Sequence, residues 1–275
     1  MISYSAYVPC YNNASSVGRT LISLRLQLPP PAELHLVDDG SNDASHLVAA
    51  GLDVPVCLMG RNAGRGAVRA KAMEIAQNGF VLFCDATNQL PPDFVARALP
   101  WFDDSNVAAV FGRIWQKEST SLADRWRGRH LLKMMDPMDV DHHALLNTYA
   151  CVLRRSAVLQ VGNFDHLLRH SEDADLGRRL LDAGFDVIYD PTLHVYPRPS
   201  RSIREVLERY WRWYAGSRED VSLVMYAKLV WYSIRVLVPG DLSDRDPWCV
   251  PVSLICPHYQ FWKSFTRRLS GRVQM

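Results

Sequence analysis

Apolar residues cluster in short runs through the first 115 residues, each followed by a polar turn and then by apolar positions at three- and four-residue spacing. The runs at 2–8, 33–37, 54–59, 79–84 and 107–114 predict strands, and the stretches 14–26, 43–50, 66–78 and 91–102 predict helices between them. Strand–helix alternation at this pace predicts a mostly parallel sheet wrapped by helices. Beyond residue 115 the pattern loosens. Helices are expected at 121–135, 171–183, 202–215 and 221–238, strands at 149–154, 186–189 and 192–196, and an acidic, His-containing loop at 136–147. Pro239-Gly240 marks the sharpest break, and the Pro- and aromatic-rich tail after it shows no clean amphipathic period.

In an open α/β sheet ligands bind beyond the carboxyl ends of the strands, so the turns leaving those ends carry the candidate chemistry. Four consecutive turns are polar: Pro9-Cys10-Tyr11-Asn12-Asn13, Asp38-Asp39-Gly40-Ser41-Asn42-Asp43, Arg61-Asn62-Ala63-Gly64-Arg65-Gly66 and Asp85-Ala86-Thr87-Asn88. Each taken alone is ordinary turn and helix-capping chemistry. A carboxylate at a strand end, as at Asp38-Asp39, accepts hydrogen bonds from a base or a ribose. A helix opened by Asn62-Ala63-Gly64-Arg65-Gly66 and carrying Arg69 and Lys71 offers backbone N–H and guanidinium donors that suit a diphosphate. The glycine fingerprint of dinucleotide folds and the P-loop pattern are both missing, which argues against a nicotinamide enzyme and a P-loop NTPase.

Composition narrows the classes further. With 275 residues, 48% apolar, the chain is long enough to bury its own core and too apolar for a disordered one. Thirty-one Lys and Arg against 29 Asp and Glu leave a net charge of +2, which makes no broad basic face for nucleic acid. Six cysteines without a Cys-x-x-Cys pair are expected to be buried thiols of a cytoplasmic protein. The start reads as a strand rather than a signal peptide, and 221–238, interrupted by Lys228 and Arg235, as an amphipathic helix rather than a membrane span.

Six segments in order resemble family 2 glycosyltransferases: 8–13, 37–43, 62–66, Phe83-Cys84-Asp85-Ala86-Thr87-Asn88-Gln89-Leu90-Pro91, Val161-Gly162-Asn163-Phe164-Asp165 and 172–180, which opens with Glu172-Asp173. The likeness covers roughly 2–200 and implies an α/β GT-A fold, with domain 1–200 followed by a helical, aromatic-rich extension 201–275 packed on it. It implies inverting transfer of a sugar from a nucleotide-diphosphate donor to a glycan, lipid-linked or small-molecule acceptor. By position, Pro9 and Tyr11 line the nucleobase, Asp39 binds base or ribose, Asn62 and Arg69 lie on the donor side, and Asp85 is the first carboxylate of the Asp-x-Asp element.

Asp173 is then the general base that takes the acceptor proton, with Glu172 as its neighbour or replacement. Ser171 is placed to cap their helix. Arg209-Tyr210-Trp211-Arg212-Trp213 resembles the Gln-x-x-Arg-Trp element of processive relatives, with Arg212 at the leaving diphosphate and Trp213 on the acceptor sugar; packing and solvated charge explain the same spacing.

Mg²⁺ or Mn²⁺ is the implied cofactor, held by Asp85 and His194, yet Thr87 stands where the family carries its second carboxylate. A Thr hydroxyl is a poor ligand for a hard cation. Weaker metal binding, metal-independent transfer, or a catalytically impaired nucleotide- or glycan-binding module are the outcomes this leaves open. Asp139-Val140-Asp141 also spells Asp-x-Asp within Asp136, Asp139, Asp141, His142 and His143, where a solvated loop is the favoured reading over a metal site. Aromatics mixed with Lys263, Arg267, Arg268 and Arg272 in the tail suit a membrane surface, an oligomer contact or a cover on the catalytic domain, and the protein is placed in the cytoplasm or at the inner face of the membrane.

Overall fold

A computed structural model describes residues 3–116, 121–134, 138–200, 202–214 and 221–272; of 213, 214 and 268–272 the backbone alone is described. The chain divides into two compact units, the first Met1–Trp115 with Pro137–Arg198, the second Gln116–Asp136 with Pro199–Met275.

The first unit is an α/β sandwich. Its elements run β1 (Tyr4–Cys10), α1 (Val17–Arg25), β2 (Glu33–Asp38), α2 (Ser45–Ala50), β3 (Val56–Leu58), α3 (Arg65–Ile75), β4 (Phe80–Cys84), β5 (Asn88–Gln89), α4 (Phe94–Ala98) and β6 (Val107–Ile114). After α5 (Leu122–Trp126), which belongs to the second unit, come β7 (Ala150–Arg154), α6 (Arg155–Gln160), α7 (Glu172–Asp182) and β8 (Asp186–Pro197). The strand order is β3-β2-β1-β4-β7-β6-β8-β5. β1 to β4 are parallel, whereas β7 runs against both its neighbours and β5 against β8, so the sheet is mixed.

Residue alternation puts a core on each side of the sheet. Tyr4, Ala6 and Val8 of β1 pack with Leu21 and Leu24 of α1 and Phe94 of α4 on one face. Tyr7 and the β4 residues Val81 and Phe83 pack with Met73 of α3 and Leu176 and Leu180 of α7 on the other. β1 lies between β2 and β4, so the strand order reverses there, and open α/β sheets bind ligands beyond the carboxyl ends of the strands at such a point. All six cysteines are free thiols, five of them buried.

The second unit is helical: α5, followed by a π turn at Arg127–Leu131, then α8 (Ile203–Tyr214), α9 (Leu223–Tyr232), α10 (Val238–Ser243) and α11 (Val250–Arg272). Trp126, Val206, Leu207, Tyr210, Leu237 and Val252 form its core. Here the expected break at Pro239-Gly240 is corrected. A π turn at Ser233–Leu237 lets the helix run on through Pro239, because the widened turn accommodates a residue that has no N–H to give. The tail also contains a helix that periodicity did not reveal, with Pro257 inside it. Pro257 leaves the Ser253 carbonyl without its helical donor, and the Ser233 hydroxyl donates to that carbonyl at 2.6 Å.

Candidate functional site

The carboxyl edge of β1, β2 and β4 is knitted by its own turns. The Asp39 N–H donates to the Cys10 carbonyl at 2.8 Å. Ser41 N–H donates to Asp38 Oδ1 at 2.6 Å, Asn12 N–H to Ser41 Oγ at 2.9 Å and Asn42 N–H to Asn12 Oδ1 at 2.9 Å. Asp38 Oδ2 is buried with no protein partner among the described residues. Pro9 is half-buried within β1 opposite Val37, and Tyr11, just past the strand, is 45% exposed.

Asp39 is buried, and its carboxylate accepts from Ala63 N–H at 2.7 Å and from Gly64 N–H at 3.0 Å. Gly66 N–H donates to the Leu168 carbonyl at 3.0 Å. Three backbone donors expected to face a diphosphate, those of Ala63, Gly64 and Gly66, are thus committed within the protein. Both glycines are required by crowding: Gly64 has φ 98° against the Arg169 backbone, and a Cβ on Gly66 would meet the Asp165 carbonyl oxygen at 2.1 Å. Arg169 holds the same turn by donating to the Asn62 carbonyl at 3.1 Å and to the Asn62 side-chain oxygen.

Arg69, on α3, is 2% exposed and joins two carboxylates. Its Nη2 donates to Asp85 Oδ1 at 2.9 Å and its Nη1 to Glu172 Oε1. Glu172 is buried at the start of α7; its Oε2 and the Arg69 Nε have no partner among the described residues. Burial pushes the Glu172 carboxyl up, with the Arg69 charge pulling down and the Asp173 charge adding to the rise. Asp173 is half-exposed, and its Oδ1 accepts the N–H of Ala174 at 2.9 Å. Ser171 does not cap this helix: at φ 60° it is left-handed and its side chain makes no capping bond.

Asp85 keeps a partly open carboxylate at the end of β4, its side chain 32% exposed, and its N–H donates to the Tyr149 carbonyl at 2.9 Å. Thr87 gives its carbonyl to Arg198 N–H at 2.8 Å. His194 lies on β8, stacked on Trp115 with ring centres 5.2 Å apart and planes 13° apart. Burial and the charges of Arg97 and Arg113 hold its pKa below the usual histidine value. These residues do not fit a metal held by the protein. Thr87 supplies no charge, Asp85 shares its carboxylate with Arg69, and an imidazole beside two guanidiniums sits in a field that repels a cation. Among the described residues no three His, Cys, Asp or Glu side chains gather as a metal site.

The other candidates lie elsewhere. Asp139, Asp141, His142 and His143 are exposed; Asp141 and His143 bridge to Tyr189 and Val187, and His142 and His143 approach Asp186 at 3.9 and 3.6 Å. Asp136 lies outside the described residues. Arg212 is exposed on α8 of the second unit, and the side chain of Trp213 lies outside what is described.

Three supporting residues escaped the sequence reading. Tyr149 accepts from both Asp85 N–H and Asn88 Nδ2 and donates its hydroxyl to the Gly112 carbonyl at 2.6 Å; Arg169 braces Asn62; Trp115 stacks on His194. None belongs to a motif, and only their place beside strand ends or turns hinted at them.

The profile of glycosyl transferase family 2 matches residues 5–162, more than half of the chain. The chain belongs to that family. It is 29% identical over 225 residues to the pre-mycofactocin glycosyltransferase of Mycobacterium tuberculosis, covering 78% of this chain and 47% of the relative. It is 28% identical over 232 residues to the succinoglycan biosynthesis protein ExoA of Rhizobium meliloti, covering 77% and 67%. The chain therefore spans about half the length of the mycobacterial relative.

Two solved structures share the fold. S. aureus TarS 1–349 in complex with UDP gives a TM-score of 0.60 at 17% identity, over 100% of this chain and 92% of that one. The mannosyltransferase PcManGT from Pyrobaculum calidifontis, in complex with GDP-Man and Mn²⁺, gives 0.57 at 17%, over 92% and 73%. The architecture is the expected GT-A type of α/β fold, with helices following the sheet.

Proposed function

We propose that this protein transfers a sugar from a nucleotide-diphosphate donor to an acceptor hydroxyl with inversion at the anomeric carbon, Asp173 acting as general base. One observation carries the reading beyond family membership. Arg69 ties Asp85, at the donor end of β4, to Glu172, the residue before Asp173, so donor carboxylate and base stand on one connected frame. In the step itself the acceptor oxygen bonds to the anomeric carbon and its proton passes to Asp173. The bond to the diphosphate oxygen breaks, and the nucleoside diphosphate leaves with the electron pair.

Pro9 and Tyr11 border the nucleobase in this account, and Asp85 faces the ribose and diphosphate; for Arg212 and Trp213 the resemblance to processive relatives alone suggests the leaving diphosphate and the acceptor. Asp39, Asn62 and Arg69 act through what they hold: the first two fix the turn at 62–66, and Arg69 fixes Asp85. Glu172 keeps Asp173 in place. Were Mg²⁺ or Mn²⁺ bound with the donor, Asp85 would be the carboxylate nearest to it, and the cation would offset charge on the leaving diphosphate. In this reading the acceptor is a glycan, a lipid-linked glycan or a small molecule, a glycan being favoured by the relative named for succinoglycan biosynthesis, and transfer takes place in the cytoplasm or at the inner face of the membrane.

A second reading, a nucleotide- or glycan-binding module with impaired catalysis, is favoured by Thr87. Thermal shift of the full chain against UDP, GDP, dTDP and CMP sugars, followed by a turnover assay on the donor that binds, separates the two. Binding with transfer or slow donor hydrolysis supports the enzyme. Binding with no turnover under any condition supports the module, and no binding at all contradicts both.

A further inference from the structure

The α9–α10 helical run, Leu223–Ser243, is 21 residues long and apolar enough in length and composition to cross a bilayer. It is not free to do so as a bare rod: Ser233, Leu237 and Asp241 on one side are buried, and Tyr226 packs on Phe261 of α11 with ring centres 4.7 Å apart. The opposite side carries Val224, Lys228, Trp231, Arg235 and Leu242 at spacings of four, three, four and seven, which is one helical stripe. Val224 is 68% exposed, Trp231 63% and Leu242 56%. Lys228 and Arg235 have no carboxylate partner among the described residues, and the Arg235 guanidinium lies 6.0 Å from the Trp231 ring centre. Trp248, at 75% exposure, and Ile255 and Trp262 add exposed apolar surface to the same unit.

Charge decides what this stripe meets. No Asp or Glu occurs from 221 to 240 or from 247 to 275. Between those stretches Asp241, Asp244 and Asp246 are taken up by Arg125, Arg129 and His130. A second copy docked about a two-fold axis would bring two cationic stripes together with no acid on either. A sheet of anionic headgroups over acyl chains satisfies both the cations and the tryptophans, which settle at the level where apolar and wet meet.

We infer that the Leu223–Ser243 stripe docks the protein onto the surface of an anionic phospholipid bilayer, lying in its plane. The inference stands on the second unit alone and does not depend on the proposed transfer chemistry. It is tested with the full chain and vesicles of phosphatidylcholine, with and without phosphatidylglycerol, by flotation and tryptophan fluorescence. Binding to the anionic vesicles with a blue shift, weakened on the order of ten-fold by Lys228→Glu with Arg235→Glu and again by Trp231→Ser with Val224→Ser, is expected. Melting temperatures close to the parent's show that these exposed changes leave the fold intact. No vesicle binding by the parent, binding unaffected by both pairs of changes, or a dimer in sedimentation that Trp231→Ser dissolves would each overturn it.

Discussion

At the residue scale the Arg69 contacts change what the motif residues do. A guanidinium that is 2% exposed and bonded to two carboxylates cannot also face bulk solvent; its work is to hold Asp85 and Glu172. Removing it leaves Glu172 buried beside Asp173 without its ion-pair partner. Arg69→Met is therefore expected to cost about 3–5 kcal/mol of stability, measured by urea unfolding. A loss below about 1 kcal/mol would show that the pair is not buried as described.

Glu172 also sets a pH dependence. Burial raises its carboxyl above the ordinary 4.5, so between that value and the raised one the native state binds more proton than the unfolded chain. The cost of ionised Glu172 is present above its folded pKa and is relieved as pH falls through it. Glu172→Gln should flatten the part of the stability profile that lies above pH 4.5, as followed by melting temperature against pH. Asp246 has the opposite sign. The hydrogen bond from Arg125 holds it below its ordinary 3.8, so its contribution is present above that value and lost as pH falls through the lowered one. None of this was legible in the sequence: Arg69 and Glu172 are 103 positions apart, and no spacing rule links them.

At the scale of elements the first half of the chain was legible and the second less so. The four polar turns, the strands between them and α7 follow from alternation, periodicity and turn chemistry, which are local signals. β5 has two residues and α6 has six, too short to show a period. α11 was hidden because Pro257 argues against a helix unless a distant donor replaces the missing N–H, and Ser233 is that donor. Ser233→Ala should lose about 1–3 kcal/mol, because the Ser253 carbonyl is left buried and unpaired; the parent and variant are compared by denaturant unfolding. Gly66 marks the other element-scale constraint. Gly66→Ala should cost about 1–3 kcal/mol as the 165–168 segment is pushed away, again read by unfolding.

For the whole molecule, the near-equal count of 31 basic and 29 acidic residues resolves into local arrangements. In the first unit Asp38, Asp39 and Asp85 gather at the carboxyl edge, and Arg69 links Asp85 to Glu172. In the second, cations remain on an exposed stripe. The grouping of Gln116–Asp136 with the C-terminal helices had no sequence signal, since it rests on long-range pairs such as Arg125 with Asp246 at 2.7 Å and Trp126 Nε1 donating to Ser253 at 2.8 Å.

The metal question belongs to this scale as well, because its answer depends on what the donor brings. With Thr87 and a single partly engaged carboxylate, chelation by EDTA should leave most of the turnover. Complete loss with EDTA and full recovery with Mn²⁺ would show that the cation is held despite this ligand set.

The central claim is that Asp173 accepts the acceptor proton in sugar transfer. Turnover and donor binding measured side by side for the native chain and Asp173→Asn test it most directly, the first by product formation and the second by calorimetry. The account predicts that donor affinity is kept while transfer falls by about 10²–10⁴-fold, the range a positioned general base supplies. Full activity in Asp173→Asn would contradict it.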